Sequence, residues 1–118
     1  MAGPARDFSK PNSREFRAQG RPASVLLPAV NELPTPPAPA GVTFTAPEAE
    51  SWADLWATGE STMWTDASLT PVAVLVRLTS RIFDGEASTA EVAQADRLMA
   101  ALGLTPAARS RLGWEVSS

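Results

Sequence analysis

The chain has no cysteine and no histidine, and these two absences remove much of the familiar chemistry of protein sites. Disulfides, thiol nucleophiles, the common zinc sites and the Ser-His-Asp and Cys-His arrangements are all excluded. A chain without cysteine fits a reducing cytoplasm but does not fix the compartment. Long apolar runs are also missing. No window approaches the roughly 18 apolar residues that suggest a membrane-spanning helix. Met1–Gly20 is polar and charged, and the run Val25–Val30 is short and broken by Pro28, so neither a signal peptide nor a membrane span is expected. There is no G-x-x-x-x-G-K-[ST] phosphate loop and no G-x-G-x-x-G. The acids are spread along the chain, and pairs such as Glu50/Asp54 and Glu91/Asp96 do not converge on anything the sequence displays. Without an imidazole base or a nucleophile in context, no catalysis is expected, and no cofactor or metal.

What is present is unevenly placed. The 118 residues suffice for one small domain, and their net charge of −3 hides an asymmetry. Residues 1–22 carry Arg6, Lys10, Arg14, Arg17 and Arg21 against Asp7 and Glu15, a net of +3. Residues 48–118 carry five arginines against ten acids, a net of −5. A mildly basic arm on an acidic body points to a polyanionic partner. Residues 23–47 hold six of the eleven prolines, and LPTPPAPAG favours extended polyproline II. The arm, residues 1–46, is therefore expected to be disordered, basic and Pro-rich. Val25, Leu26, Leu27 and Val30 are expected to lie on a free linker, with docking on a neighbour as the alternative.

Order is expected to begin at Thr45. Thr45-Ala46-Pro47-Glu48 is a capping box, and Trp52, Leu55 and Trp56 at i, i+3, i+4 make one apolar face, with Gly59 as the stop. A short turn is expected around Met63 and Trp64. Thr70 and Pro71 then open a helix to about Phe83, with Asp66–Leu69 as a leading turn, carrying Val72, Leu75, Val76, Thr79, Ile82 and Phe83 at helical spacing; the alternative, a start at Asp66, would put Pro71 inside the helix and kink it. Ser88-Thr89-Ala90-Glu91 is a second capping box, opening a helix to Leu102 that buries Val92, Ala95, Leu98, Met99 and Leu102. About four residues join these two helices, which predicts a central antiparallel hairpin. No strand is convincing; Val42–Thr45 is β-prone but isolated. The expected fold is all-α, a small helical domain over residues 47–116. Four tryptophans in so small a piece exceed what one hairpin buries and suggest a subunit interface.

The segment Leu102–Val116, LGLTPAARSRLGWEV, is the best punctuated. Gly103 closes the preceding helix, Thr105 caps and Pro106 starts the next, Gly113 ends it at Leu112, and Trp114 supplies an anchor. Arg109 and Arg111 complement the helix dipole and pair with local acids such as Glu115, or contact phosphate or a partner protein. Arg77 and Arg81 lie on a solvated face, or form a basic ring if repeated around an oligomer. The candidate phosphate contacts are thus Arg6, Lys10, Arg14, Arg17, Arg21, Arg77, Arg81, Arg109 and Arg111, those of the arm acting without regard to sequence. The candidate core or oligomer anchors are Trp52, Leu55, Trp56, Trp64, Leu75, Phe83, Leu98, Leu102 and Trp114.

Read together, Trp52-x-x-x-Trp56, Trp64-x-Asp66, Leu75 and Leu78, Glu91 and Leu98, and above all the closing segment carry a resemblance. The chain resembles the small subunit of tailed-phage terminases, particularly those of phages of actinobacteria, whose members end in a segment like FGLTP-x-x-R-x-RL-x-WEV. The register here runs through Leu102, Gly103, Leu104, Thr105, Pro106, Arg109, Arg111, Leu112, Trp114, Glu115 and Val116. Thr58-Gly59-Glu60-Ser61 departs from the Ser-Pro-Met-Ala-like turn of relatives. The resemblance implies a non-enzymatic subunit that forms a homo-oligomeric ring and recognises viral double-stranded DNA. It also implies recruitment or regulation of a large subunit, which carries the ATPase and nuclease, in the cytoplasm of the infected bacterial host. The alternative reading of the residues is a helical protein-interaction adaptor with no nucleic-acid role.

Overall fold

The computed structural model describes residues 24–117. The chain runs from a short strand β1 (Val25–Leu27), through an extended Pro-rich stretch, to helices α1 (Ala46–Trp56), α2 (Leu69–Phe83), α3 (Thr89–Ala101) and α4 (Pro106–Leu112). It closes with strand β2 (Trp114–Val116). Two 3-10 turns, Glu60–Met63 and Asp66–Ser68, link α1 to α2. The fold is mostly helical, as the apolar spacing predicts, with one short pair of strands that the spacing does not reveal.

The helix starts follow from the caps. Thr45 accepts from the Glu48 backbone N–H while the Glu48 carboxylate accepts from the Thr45 N–H, and Ser88 and Glu91 repeat the arrangement at α3. Thr105 caps α4 with Pro106 in its first turn, and Gly113 ends it. One boundary follows the expected leading turn and one differs from expectation. The 3-10 turn Asp66–Ser68 leads straight into α2 at Leu69, so Pro71 falls in the first turn, where its missing N–H breaks no helical bond. The first helix stops at Trp56, and Gly59 serves instead as a point of close approach. A Cβ there would lie 1.8 Å from the Pro28 carbonyl oxygen.

The strand pair is the larger correction. β1 and β2 pair in parallel, with Val25 opposite Trp114, Leu26 opposite Glu115 and Leu27 opposite Val116. The Val25 N–H donates to the Gly113 carbonyl at 2.7 Å and the Ser117 N–H to the Leu27 carbonyl at 3.0 Å. Three residues are too few to display alternation, and a partner at the far end of the described chain leaves no local signal. Parallel strands need a long crossover; here the four helices provide it.

The stretch that follows β1, expected as a free linker, is packed along the helices. Leu27 is buried, and Val30 bridges Thr58. The Asn31 N–H donates to Ala57 O at 2.8 Å and its side-chain amide to the Ser61 hydroxyl at 2.8 Å. The Trp52 indole N–H donates to Pro36 O at 2.8 Å. Proline supplies no donor, but an extended Pro-rich chain keeps its carbonyls available, and the body uses them.

The core gathers Trp52, Trp56, Val72, Ala73, Leu75, Val76, Ala95 and Leu102, with Phe44, Leu55, Trp64, Leu98 and Leu104 against it. An aromatic row crosses it: Phe44 to Trp52 at 5.4 Å, Trp52 to Trp56 at 5.7 Å, and Trp56 edge-on to Trp64 at 5.0 Å. Such tilted and edge-on contacts suit the ring quadrupoles. Trp64 donates its indole N–H to Leu102 O at 2.9 Å, tying the inter-helix turn to the end of α3. Trp114 lies over Gly103, where a Cβ would come within 2.1 Å of the indole ring. Gly103 also has φ +76°, so the position excludes a side chain on two counts. Of the expected anchors, Phe83 alone is outside this assembly, being 84% exposed. It continues the apolar stripe of α2 beyond the helices that cover the earlier turns.

Candidate functional site

Phosphate contact calls for accessible guanidinium groups, so the arginines define the candidate site. Of the five in the body, three are paired with a carboxylate, and Arg97 donates to the Gln94 side chain at 2.8 Å. Arg77, on α2, places Nε 3.0 Å from the Glu48 carboxylate and donates from Nη2 to Thr43 O at 2.7 Å. Its guanidinium also lies 5.8 Å from the centre of the Phe44 ring. Glu48 is buried, and its two oxygens are divided between the Thr45 cap and Arg77. Arg77 therefore fastens the Pro-rich stretch, α1 and α2 together.

Arg81, one turn further along α2, forks onto Glu91 at the start of α3, with Nε and Nη2 each 3.1 Å from a carboxylate oxygen. Nη2 also reaches Glu86 O in the connecting turn at 2.9 Å. This bidentate pair closes the α2–α3 turn. The Arg81 hydrogen bond, ahead of the bond from the Ser88 backbone, holds the Glu91 carboxyl below its usual range. The same hydrogen bond and the attraction of Glu91 raise Arg81. A carboxyl lowered on folding contributes stability that is complete above the ordinary glutamate range and is lost as pH falls through its depressed value. Denaturant titrations of the native chain and Glu91→Gln are expected to show a small, constant advantage for the native chain near neutrality. That advantage disappears in acid; one that persisted at low pH would contradict the pairing.

Arg109, on α4, is expected to pair with Glu115; it pairs instead with Glu60, Nη1 to Oε2 at 3.0 Å, across 49 residues of sequence. Glu60 is buried and Arg109 largely so, so this pair is part of the packing of α4 on the first 3-10 turn. Arg111 reaches Ala100 O at 3.5 Å, and among the described residues it makes no ion pair with Glu115. As a DNA-reading element α4 is thin. It has seven residues, and one of its two arginines is committed to Glu60. Arg6, Lys10, Arg14, Arg17 and Arg21 lie outside the described residues.

Among the expected anchors, Trp52, Trp56, Leu75 and Leu102 are buried, and Leu55, Trp64 and Leu98 pack against them. Sequence reasoning missed Phe44 and Glu60, gave the docking of Leu27 only as the alternative, and missed the pairing of Glu48 with Arg77. Glu48 was visible as the acid of a capping box, but nothing local marks its second partner. Glu60 sits in a turn, where an acid reads as solvated.

Among the described residues no three Asp or Glu side chains come together as a metal ion requires, and no helix is long and apolar enough to cross a membrane. No curated protein and no solved structure matches the chain. A model of the phage terminase small subunit family does, over residues 1–118. With the capped closing segment and the Trp-bearing helices in place beneath that match, the chain belongs to the phage terminase small subunit family.

Proposed function

We propose that the chain is the non-catalytic recognition subunit of a DNA-packaging terminase. Copies of it assemble into a ring, engage viral double-stranded DNA, and recruit or regulate a large subunit that carries the ATPase and nuclease, in the cytoplasm of the infected bacterium. The observation that carries this reading is the family match along the whole chain. The lack of histidine and cysteine supports a non-catalytic role, since neither an imidazole base nor a thiol nucleophile is available.

The arginine pairings divide the labour of DNA contact. Phosphate contact at Arg77, Arg81 or Arg109 would compete with a carboxylate already about 3 Å away. The basic arm carries no such cost in its sequence, with five cations against two acids over residues 1–22. Arg6, Lys10, Arg14, Arg17 and Arg21 are therefore the principal phosphate contacts, and Arg111 is a further one on the body.

Binding to double-stranded DNA at increasing salt tests this. Affinity is expected to fall steeply, with a logarithmic slope of about −0.9 per phosphate neutralised. Replacing the five arm cations by glutamine is expected to lower affinity and flatten that slope. An affinity indifferent to salt would remove the phosphate mechanism. Absence of DNA binding, with capture of a protein partner retained, would favour a helical adaptor.

A further inference from the structure

The five arginines of the body fall into two groups by what they touch. Arg77, Arg81 and Arg109 each hold a carboxylate within 3.1 Å. Arg97 and Arg111 are exposed and hold none among the described residues. Arg97, on α3, donates to the side-chain oxygen of Gln94, one turn earlier, at 2.8 Å. Arg111, in the last turn of α4, donates to the Ala100 carbonyl at 3.5 Å. That contact brings the two arginines to one end of α3. Ala100 stands three residues beyond Arg97, about 4.5 Å along the helix axis. The last carbonyls of a helix carry partial negative charge and draw a guanidinium to that end. Gly103, covered by the Trp114 ring, holds the corner from which α4 returns. Asp96 and Glu115, the acids nearest to them in sequence, make no ion pair with either arginine among the described residues.

We propose that Arg97 and Arg111 form a phosphate-contact patch on the body, at the C-terminal end of α3, that holds the backbone of double-stranded DNA. The inference rests on the DNA-binding reading above. It adds a contact on the folded part of the chain and makes Arg97 a member of it. Charge compensation separates the five arginines. A phosphate approaching Arg77, Arg81 or Arg109 meets a carboxylate of its own sign beside the guanidinium. At Arg97 it replaces a neutral amide, and at Arg111 a carbonyl at the outer limit of hydrogen bonding. Hydrogen bonds from a cation to phosphate are roughly twice as strong as neutral ones, so the exchange favours phosphate at these two positions. Each guanidinium has further N–H donors beyond the one engaged in these contacts. Successive phosphates of one strand are about 3.4 Å apart along the duplex axis, so two cations anchored about one helical turn apart suit nearby phosphates of the same strand. Contacts of this kind fix position and orientation and carry no base sequence.

Binding of the full chain to two duplexes of unrelated sequence, followed by fluorescence anisotropy over a range of salt, tests the patch. Arg97→Gln and Arg111→Gln are each expected to weaken binding severalfold on both duplexes and to reduce the logarithmic salt slope by about 0.9, the double variant by about 1.8. Leu33→Glu, at a site 72% exposed on the Pro-rich stretch, lowers the net charge by the same one unit and is expected to leave the slope as it was. Both arginines are exposed, so the helical signal and melting temperature of the variants are expected to match those of the native chain. A native slope in the double variant, a change at only one of the two positions, or an equal flattening by Leu33→Glu overturns the patch while leaving DNA binding through the arm standing. A native chain that binds neither duplex overturns both.

Discussion

Replacing Trp52 with alanine is expected to lower the unfolding free energy by about 3–5 kcal/mol. Small domains have about 5–15 kcal/mol in all, so much of the fold's margin is lost. Three contacts concentrate in this side chain. It is 4% exposed, it stands between Phe44 and Trp56 in the aromatic row, and its indole N–H holds Pro36 O at 2.8 Å. Alanine removes the packing, opens a cavity, and releases the Pro-rich stretch from α1. Trp52→Phe separates these effects: it keeps most of the apolar volume and gives up the hydrogen bond, a net loss of about 1 kcal/mol for that bond. Thermal and denaturant unfolding of the two variants measures both. A Trp52→Ala chain as stable as the native one would mean that the row is not the centre of the core.

The second large effect concerns where the folded body begins. Removing residues 1–23 is expected to leave cooperative unfolding intact, because every contact described above is retained. Removing residues 1–46 is expected to abolish it. The longer deletion takes Leu27, whose burial contributes about 1.5–3 kcal/mol. It takes the Thr45 cap of α1, worth about 1 kcal/mol. The Pro36 acceptor goes as well, and with it Phe44, over which Arg77 lies. These losses together reach the lower part of the stability range of small domains. Circular dichroism melts of the two truncated chains decide the matter. A chain of residues 47–118 that melts like the full chain would restore the boundary that composition suggests. The comparison also separates DNA contact from folding, since only the shorter deletion removes the basic arm from an intact body.

How far the sequence reveals this molecule depends on the distance over which each residue acts. The capping boxes at Thr45 and Ser88, and the Thr105-Pro106 start with Gly113 at its end, are local devices, and all three helix starts are where those residues put them. The core tryptophans are equally legible, because i, i+3, i+4 spacing on α1 aims Trp52 and Trp56 at one side. What is hidden acts at long range. Proline-rich composition signals an extended chain correctly but says nothing about whether something lies alongside to accept its carbonyls. Val25–Leu27 becomes a strand only because Trp114–Val116 arrives beside it. Charge patterning misleads most at the arginines. Arg77, Arg81 and Arg109 count as positive surface in the sequence, yet each is neutralised by an acid 10 to 49 residues distant. Phe83 shows the reverse case: its periodicity is that of a core residue, but the helix carries it past the end of the core.

The strand pair also has a consequence for synthesis. Val25–Leu27 leaves the ribosome early, and its partner Trp114–Val116 is made about 90 residues later, an interval of roughly 5–20 s at ordinary elongation rates. Helices with local contacts form far faster than that, so α1 can form while β1 still waits. The pairing of β1 with β2 therefore waits for a segment made about 90 residues after β1 itself. Until it closes, Leu27 and the backbone of β1 stay available to any other extended chain, including another copy emerging from the same message.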